Sequence, residues 1–491
     1  MLLKKILLLI LIAFLTHSCL VTKNYQEPEL DVPTVYRDFK EIDSTSMAMV
    51  PYEQFFNDPL LLEYIDEALT NNYDLRLALQ NVYRSQALYR QGRAGYLPTL
   101  NVDASVNSSD FSDNSFQGQQ ARQGNQSSNG NVPSRIEQYD LTGTLDWEID
   151  LWGGITSNKR ATAAAYLQSE AGQRLVKTSI ISNVASQYYL LMALDEQLEI
   201  AQQAVEARQG SFDITQKLKK AGLEREVAVQ QSGSQLKIAE LLALDLELQI
   251  KLAENAFSVL LGKNPQEVSR GKIDSTFLDR EIEIGLPSQL LRNRPDVVQA
   301  EFNLINAFEL ENVARADFYP QLNIGASAGF RSVNASDWIS SASLFNTLVA
   351  GLAQPILNNR RIRTNFEVAQ INQQTSLLEF KQTLLTAYQE VNDAWFTQNS
   401  LTEQYKVRQE QVEFLDNATD YSFRLYQSGL SSYLEVLIAD SNRLNAQIEL
   451  VNLKLNQLNA TVELYRALGG GWNKKVEPAS TMLSNEEKKN E

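Results

Sequence analysis

The sequence of 491 residues contains a single cysteine, Cys19, and a single histidine, His17. One cysteine cannot form an internal disulfide. Both residues lie at the end of a predicted N-terminal signal, described below, so the mature chain would keep no histidine and no unmodified cysteine. In the mature chain, no His-based triad, no Cys–His nucleophile and no His/Cys zinc site can then be assembled. A pair of carboxylates could still perform acid–base chemistry, but the acidic residues are dispersed on predicted helical faces. We therefore expect no enzyme activity, no metal site and no cofactor.

Positive charge is also scarce. The chain has 44 Lys and Arg against 60 Asp and Glu, which gives a formal net charge of −16 and a pI near 4.8. Proteins that bind nucleic acid need clustered Lys and Arg to contact phosphates. The charge balance therefore argues against a nucleic-acid partner.

Long apolar runs are missing except at the N-terminus. Lys4 and Lys5 precede an apolar run over residues 6–15, and small or polar residues follow it. This run is too short for a stable membrane-spanning helix and has the organisation of a secretory signal peptide. We interpret residues 1–18 as a lipoprotein signal and Cys19 as the lipid-modified N-terminus. A stray cysteine within a cleaved signal is the alternative.

The sequence contains an internal repeat. Residues 69–105 align without gaps onto 291–327, and residues 155–262 align onto 362–469, with Asn71/Asn293 and Pro98/Pro320 among the identical pairs. Each half is therefore one supersecondary unit. The predicted organisation is a signal at 1–18, a lipidated linker at 19–52, a first repeat at 53–265, a connector at 266–286, a second repeat at 287–472 and a polar tail at 473–491.

Each repeat contains a predicted β-hairpin, at about 96–151 and about 319–355. Apolar and polar residues alternate in 100–107, 139–151 and 322–331, and less regularly in 344–354, whereas 107–138 is a polar loop. Period-two alternation predicts strands with one apolar and one polar face. A soluble sheet packed on a core is one interpretation. A membrane barrel with the apolar face toward lipid is the other, and we favour it.

Four strands cannot close a barrel, and an open edge within lipid would leave backbone groups without hydrogen bonds. Closure therefore requires several chains. Three copies would supply twelve strands, and the repeat would give them pseudo-sixfold symmetry.

Long helices are predicted after each hairpin, over about 155–262 and 360–468. Residues 155–220 contain no proline and place apolar residues at intervals of seven, from Val184 to Phe212. The returning segment from Leu236 to Leu260 has a heptad stripe typical of a coiled coil. Turns are expected at 221–223 and 428–430. The predicted fold is therefore mixed α and β, mainly α, with two tandem repeats. An ordinary helical bundle or a rod-like coiled coil is the alternative for the helices alone.

Several motifs resemble the outer-membrane efflux factors of the TolC type, in their lipoprotein branch. They are the stretches 293–296 (NRPD) and 314–320 (ARADFYP), the segment 147–154 (WEIDLWGG) and the end of the second repeat, 464–472 (LYRALGGGW). The similarity covers about residues 50–472.

The resemblance implies a homotrimer whose twelve strands form one barrel in the outer membrane, continued by a helical barrel in the periplasm. It implies as partners outer-membrane lipid, a periplasmic adaptor and an inner-membrane pump of the RND type. Adaptor contact would fall on the helix turns, at Gly222, Leu223, Gly429 and Leu430.

The resemblance also implies a periplasmic gate. Relatives carry acidic residues six and nine positions after the second turn glycine. The first position holds Glu435, whereas the second holds Ile438, so a doubled acidic ring is not expected. Tyr426 matches a tyrosine that holds the closed state in relatives. Asp213 and Asp420 occupy equivalent positions in the two repeats and are further gate candidates.

These observations predict a passive export channel for drugs or other small molecules, with energy supplied by the pump. The alternatives are a structural coiled-coil lipoprotein tether without transport and a conduit for type I protein secretion.

Overall fold

The computed structural model describes residues 21–30, 32–38, 46–126, 135–273 and 285–472. Cys19, the predicted signal peptide and the predicted C-terminal tail lie outside these residues, as do parts of the predicted linker and connector. The chain divides into two compact units. Unit 1 contains residues up to 28, 84–166 and 302–377; unit 2 contains 29–83, 167–301 and the residues from 378 onward.

Helices account for most of the described chain, and four strands complete it. The helices are α1 (Tyr52–Phe55), α2 (Pro59–Asn71), α3 (Tyr73–Ala94), α4 (Phe116–Gln126), α5 (Gly154–Lys220), α6 (Glu226–Leu260), α7 (Leu290–Asn293), α8 (Pro295–Ala316), α9 (Arg361–Gln427) and α10 (Tyr433–Ala467). The strands are β1 (Thr99–Asp110), β2 (Arg135–Ile149), β3 (Gln321–Ser332) and β4 (Leu344–Ala353). Short 3₁₀ turns lie at Met47–Met49, Pro287–Gln289, Ala335–Asp337 and Ser341–Ser343.

The strands form one antiparallel sheet in the order β1-β2-β3-β4, within unit 1. The register places Leu100 opposite Leu145, Leu145 opposite Ala326, and Ala326 opposite Leu348. The neighbouring row, from Asn101 through Thr144 and Ser327 to Thr347, is polar. The predicted hairpins and their two-faced pattern are therefore confirmed, because side chains one residue apart on a strand point to opposite faces.

The apolar face of the sheet has no core packed on it within the described residues. Leu100, Val102 and Val106 of β1 are 58–71% exposed, and Leu348 and Leu352 of β4 are 62–77% exposed. A soluble sheet of this pattern would bury such a face. The first interpretation offered for the alternation is therefore wrong for this chain.

The first hairpin differs from the prediction between its strands. The prediction made 107–138 a loop, but β1 continues to Asp110, α4 occupies Phe116–Gln126, and β2 begins at Arg135. The Ser115 hydroxyl accepts a hydrogen bond from the Gly118 amide at 3.1 Å, which is the N-cap interaction that starts a helix. Many Gln and Gly residues and a lack of apolar periodicity hid this helix in the sequence.

The long helices match the predicted helical ranges, 155–262 and 360–468, closely. Both α5 and α9 contain 67 residues, and both α6 and α10 contain 35, so the two repeats are equal in helix length. No helix among the described residues combines the length and the apolar character needed to cross a membrane.

Aromatic side chains form much of the core of unit 2. Tyr465 of α10 stacks on Phe55 at 4.0 Å between ring centroids, and its hydroxyl donates to the Val50 carbonyl at 2.7 Å. Tyr188 of α5 donates to Asp58, whose carboxylate also caps the first turn of α2. These contacts fix the N-terminal helices against the long ones.

Two of the family-like motifs meet in this core. The Arg294 guanidinium contacts the Asp296 and Glu390 carboxylates and donates to the Ala467 carbonyl at the end of α10. Trp472 donates its indole N–H to the Asn293 carbonyl at 2.7 Å. The Arg294 partner lowers the pKa of Asp296 although burial opposes the shift. The motifs 293–296 and 464–472 therefore have a structural role.

Candidate functional site

Each pair of long helices is joined by a short turn in unit 2, and the two turns are built alike. The Leu223 amide donates to the Leu218 carbonyl and the Gly222 amide to the Lys219 carbonyl, both at 2.9 Å. In the second turn Leu430 donates to Leu425 at 2.9 Å and Gly429 to Tyr426 at 3.0 Å. This pattern is the Schellman motif, which satisfies the last carbonyls of a helix.

The turns require glycine for backbone reasons. Gly222 has φ +77° and Gly429 has φ +74°, in the left-handed region that other residues rarely adopt. A Cβ atom at either position would meet nothing within 4 Å. The leucine after each glycine, Leu223 or Leu430, is 76% exposed. Each turn thus presents one apolar side chain at the end of a rigid helical hairpin.

Tyr426, in the last turn of α9, is buried between helix ends. Its hydroxyl donates to Thr215 Oγ1 of α5 at 3.2 Å, and its ring packs edge-to-face on Tyr433 at 5.6 Å. Ala228 of α6 and Val436 of α10 complete the buried cluster. Tyr426 therefore links the second helical hairpin to the first.

Burial raises the pKa of both tyrosines in this cluster. The pKa of Tyr433 rises to about 12 because of desolvation, and the nearby Asp440 carboxylate adds to the shift. The pKa of Tyr426 rises for the same reason, although its hydrogen bond with Thr215 opposes the rise. Both rings are neutral at physiological pH and act through packing and hydrogen bonding.

The first repeat has an ion pair where the second has this aromatic pair. The repeat shift of 207 residues places Lys219 at the position of Tyr426 and Glu226 at that of Tyr433. Lys219 and Glu226 form an exposed ion pair, and the hydrogen bond from Lys219 lowers the pKa of Glu226. The backbone of the turn is conserved between repeats while its side-chain chemistry differs.

Glu435 is exposed in the first turn of α10. It occupies the third helical position after the N-cap Ser432, where a carboxylate is stabilised by the helix dipole, and its Oε2 accepts a hydrogen bond from Ser431 at 2.7 Å. Leu434 and Ile438, one turn apart, are also exposed. This face of α10 therefore combines one carboxylate with apolar side chains.

The structure does not bring Asp213 and Asp420 together with Glu435. Asp213 accepts from Gln209 at 2.9 Å, and Asp420 pairs with Arg424 at 3.0 Å, in each case one turn away on the same helix. Both carboxylates are exposed. Within the described part of the chain, neither has a hydrogen-bond or ion-pair partner on another helix.

An ion-pair network that was not predicted from the sequence joins the long helices near the turns. Arg208 of α5 donates from Nε to Asp440 of α10 at 2.8 Å and from Nη1 to the Gln235 carbonyl of α6 at 3.1 Å. Arg443 donates to the other Asp440 oxygen at 3.0 Å. The side chains of Arg208 and Asp440 are only 5% and 16% exposed. The network joins three of the four long helices.

A signal for this network was present in the heptads. Leu194, Ala201, Arg208 and Thr215 follow one another at intervals of seven on α5, and the first two are buried. An arginine in such a series must be paired when it is buried. Asp440 carries no comparable signal, because Gln447 and Lys454 follow it at intervals of seven on α10. The heptads therefore indicate burial of Arg208 but do not identify its partner.

Comparison with known proteins places the chain among outer-membrane proteins. A family model described as "Outer membrane efflux protein" matches residues 64–263 and 286–470. The chain is 30% identical over 464 residues to SrpC of Pseudomonas putida, a solvent efflux pump outer membrane protein, covering 93% of this chain and 96% of SrpC. It is 27% identical over 468 residues to SilC of Salmonella typhimurium, a probable outer membrane lipoprotein, covering 94% and 97%.

The fold also resembles solved structures. The structure of CusC, a protein studied for folding and transmembrane channel formation, superposes with a TM-score of 0.81 at 27% sequence identity. The match covers 92% of this chain and all of the CusC chain. The fold of this chain is therefore similar to that of a solved structure over nearly its whole length.

Proposed function

The chain belongs to the outer membrane efflux protein family, and we propose that three copies of it form the outer-membrane channel of a tripartite efflux system. The protein is located in the outer membrane and its helices extend into the periplasm. Its family consists of efflux proteins, and we propose that this chain catalyses no reaction and binds no cofactor. Drugs or other small molecules pass through it, and a pump supplies the energy.

The observation that carries this proposal is the uncovered apolar face of the sheet. Burial of apolar surface stabilises a protein by roughly 25 cal/mol per Å², so a face this exposed is unfavourable in water and favourable in lipid. Strands β1 and β4 are the sheet edges among the described residues. Because an open edge cannot persist in lipid, we propose that β1 of one copy pairs with β4 of the next. Three copies of four strands give twelve.

The polar face then lines the lumen. Asp140 and Arg331 form an ion pair on this face across β2 and β3, and Asp103 lies on the same face of β1, opposite Thr142. A charged, hydrated face is the feature expected of a channel interior.

We propose that the helix ends around Tyr426 and Glu435 form the periplasmic gate. Three Glu435 carboxylates around a narrow pore would repel one another and attract cations. Ile438, one turn further on, would add an apolar ring instead of a second acidic one. Asp213 and Asp420 would place further negative charge near the entrance.

We propose that the turns at Gly222–Leu223 and Gly429–Leu430 contact a periplasmic adaptor, which connects the channel to an inner-membrane pump of the RND type. Two exposed leucines per chain give six apolar contacts per trimer. Exposed apolar side chains on rigid elements are suitable anchors for a protein partner.

We propose that Cys19 becomes the lipidated N-terminus after removal of residues 1–18, followed by a linker over 19–52. SilC, a probable outer membrane lipoprotein, supports this assignment. Replacement of Cys19 by Ala should abolish incorporation of labelled fatty acid. Unchanged labelling would contradict it.

Conductance of the purified full-length protein in planar bilayers tests the channel itself. We expect discrete conductance steps from a species that runs at the size of a trimer on unheated gels. A structural tether predicts no steps and no sensitisation of the deletion strain to toxic compounds. A protein-secretion conduit predicts steps without sensitisation, together with loss of a secreted protein.

Replacement of Glu435 by Gln tests the gate. We expect weaker cation selectivity, because the substitution removes three charges per trimer and keeps the side-chain size. Glu403→Gln, which changes another exposed carboxylate, on α9, serves as the control and should leave the selectivity unchanged. Equal cation selectivity of the two variants would show that Glu435 is not part of the gate.

A further inference from the structure

The end of the sheet at which strands give way to helices carries very exposed apolar side chains. Leu97 is 67% exposed, Ile356 is 89% exposed and Leu357 is 96% exposed. Each lies within four residues of a strand end, in unit 1. In an antiparallel sheet β1 and β3 start at the edge where β2 and β4 end. The three side chains therefore lie at the same end of the sheet, where β1 and β3 begin and β2 and β4 end.

Aromatic side chains form hydrogen bonds and ring contacts at this end of the sheet. Trp147 donates its indole N–H to the Tyr96 carbonyl at 2.9 Å, and Trp152 donates to the Pro320 carbonyl at 2.7 Å. The rings of Trp152 and Tyr319 lie 5.0 Å apart. Tryptophan and tyrosine are enriched where a membrane meets water, because one part of each ring is apolar and another forms hydrogen bonds.

Cations follow immediately on the adjoining helices. Arg93 is one residue before the end of α3, Arg361 and Arg363 lie in the first turn of α9, and Lys159 lies five residues into α5, about 8 Å along its axis. Lys159 Nζ lies 5.7 Å from the Tyr96 ring centroid, which places it beside the aromatic residues. Within the part of the chain that the structure describes, none of the four forms an ion pair.

These cations contrast with their surroundings. The whole chain has a formal charge of −16, yet α9 begins with arginines and has no acidic residue in its first turn. Positive charge at a helix N-terminus is unfavourable, because the helix dipole is positive there. The start of α5 differs, since the Asp150 carboxylate already accepts hydrogen bonds from the Ile155 and Thr156 amides. Asp317 interacts electrostatically with Arg361 without forming an ion pair, so an external anion would complete the compensation of the charge at α9.

We propose that these residues form a binding surface for the headgroups of anionic glycerophospholipids. The surface, here named the junction patch, consists of Arg93, Leu97, Lys159, Ile356, Leu357, Arg361 and Arg363. The cations contact lipid phosphates, while the three apolar side chains enter the acyl region beside the sheet. The proposal rests on the proposed function, since it requires the sheet to lie in the membrane. Basic residues beside a membrane favour anionic over neutral lipid.

Native mass spectrometry of the full-length protein in detergent, with added phosphatidylglycerol or phosphatidylcholine, tests the junction patch. We expect the wild type to retain phosphatidylglycerol roughly tenfold better, and we expect added salt to weaken this preference. A variant with Arg93→Gln, Lys159→Gln, Arg361→Gln and Arg363→Gln should lose it.

The control changes the same net charge elsewhere, through Lys237→Gln, Lys251→Gln, Lys381→Gln and Lys406→Gln on exposed helical faces of unit 2. It should keep the preference. If the wild type shows no preference, or the junction variant keeps it, the proposal is wrong. Bilayer conductance separates the two proposals: a conducting wild type without lipid preference refutes only the junction patch, whereas a wild type that does not conduct refutes the channel.

Discussion

Replacement of Asp440 by Asn should loosen the helix ends near the turns. Asp440 accepts hydrogen bonds from Arg208 and from Arg443 on its two oxygens, and Arg208 is almost fully buried. The variant keeps the side-chain size but leaves the Arg208 guanidinium with the Gln235 carbonyl and a neutral amide. Its charge is then buried without compensation.

The size of this effect follows from the burial of Arg208. Breaking a buried ion pair by removing one partner costs about 3–5 kcal/mol, chiefly because the remaining charge is left unpaired. Asp440 is itself partly exposed and the amide keeps some hydrogen bonding, so we expect a value near 3 kcal/mol. At 1.4 kcal/mol per factor of ten, the fraction of molecules with separated helix ends should rise about 150-fold.

Hydrogen exchange of backbone amides near the turns measures this change. Amides of α5 and α10 close to Arg208 should exchange about 150-fold faster in Asp440→Asn. Asp416→Asn makes the same chemical change at an exposed carboxylate of α9 and should leave exchange unaltered. The double variant Arg208→Met with Asp440→Leu should regain most of the protection, because apolar residues of similar size can replace a buried pair. Unchanged exchange in Asp440→Asn, or a double variant less protected than the single one, would refute the reasoning.

Two further predictions concern the same region. Replacement of Gly222 or Gly429 by Ala should destabilise its turn by about 1 kcal/mol through backbone strain alone. Gly210→Ala, inside α5 with equally free space, should instead stabilise its helix by up to about 1 kcal/mol. Trypsin cleavage rates at the turns measure both effects, and equal effects at all three sites would show that the positive φ of Gly222 and Gly429 is not the cause. Burial raises the pKa of Tyr433 to about 12, so the contribution of its burial to stability should be complete below pH 10 and disappear between pH 10 and 12. Compared with the wild type, the tyrosinate absorbance of Tyr433→Phe should lack a titration step near pH 12. Loss of a step near pH 10 instead would contradict the raised pKa.

Features that depend on local periodicity could be read from the sequence. The alternation in 100–107 and 322–331 predicted strands, and the predicted helices beginning at 155 and about 360 agree with the observed starts of α5 and α9 to within one residue. Gly222 and Gly429 predicted the turns, because a glycine after a long apolar series ends a helix. In each case a short stretch of sequence carries the physical cause.

Features that depend on contacts between distant segments could not be read in this way. Arg208 and Asp440 are 232 residues apart, and only Arg208 follows apolar residues at intervals of seven on its own helix. Burial of Arg208 could be inferred from the heptads, but its pairing with Asp440 depends on which helices pack together. The helix Phe116–Gln126 was missed for a different reason: it begins at the Ser115 cap without an apolar series to mark it.

The two helix turns share a backbone but differ in their side chains. Their backbones agree in φ, in hydrogen bonds and in the exposure of the leucine, so both have the same local shape. Behind that shape, Tyr426 and Tyr433 are buried against Thr215 of α5, whereas Lys219 and Glu226 form an exposed ion pair. An exposed pair contributes at most about 1 kcal/mol, while each buried aromatic side chain contributes more through apolar burial. Movement that separates the helix ends should therefore cost more at the second turn than at the first, and the second turn is the one that carries Glu435.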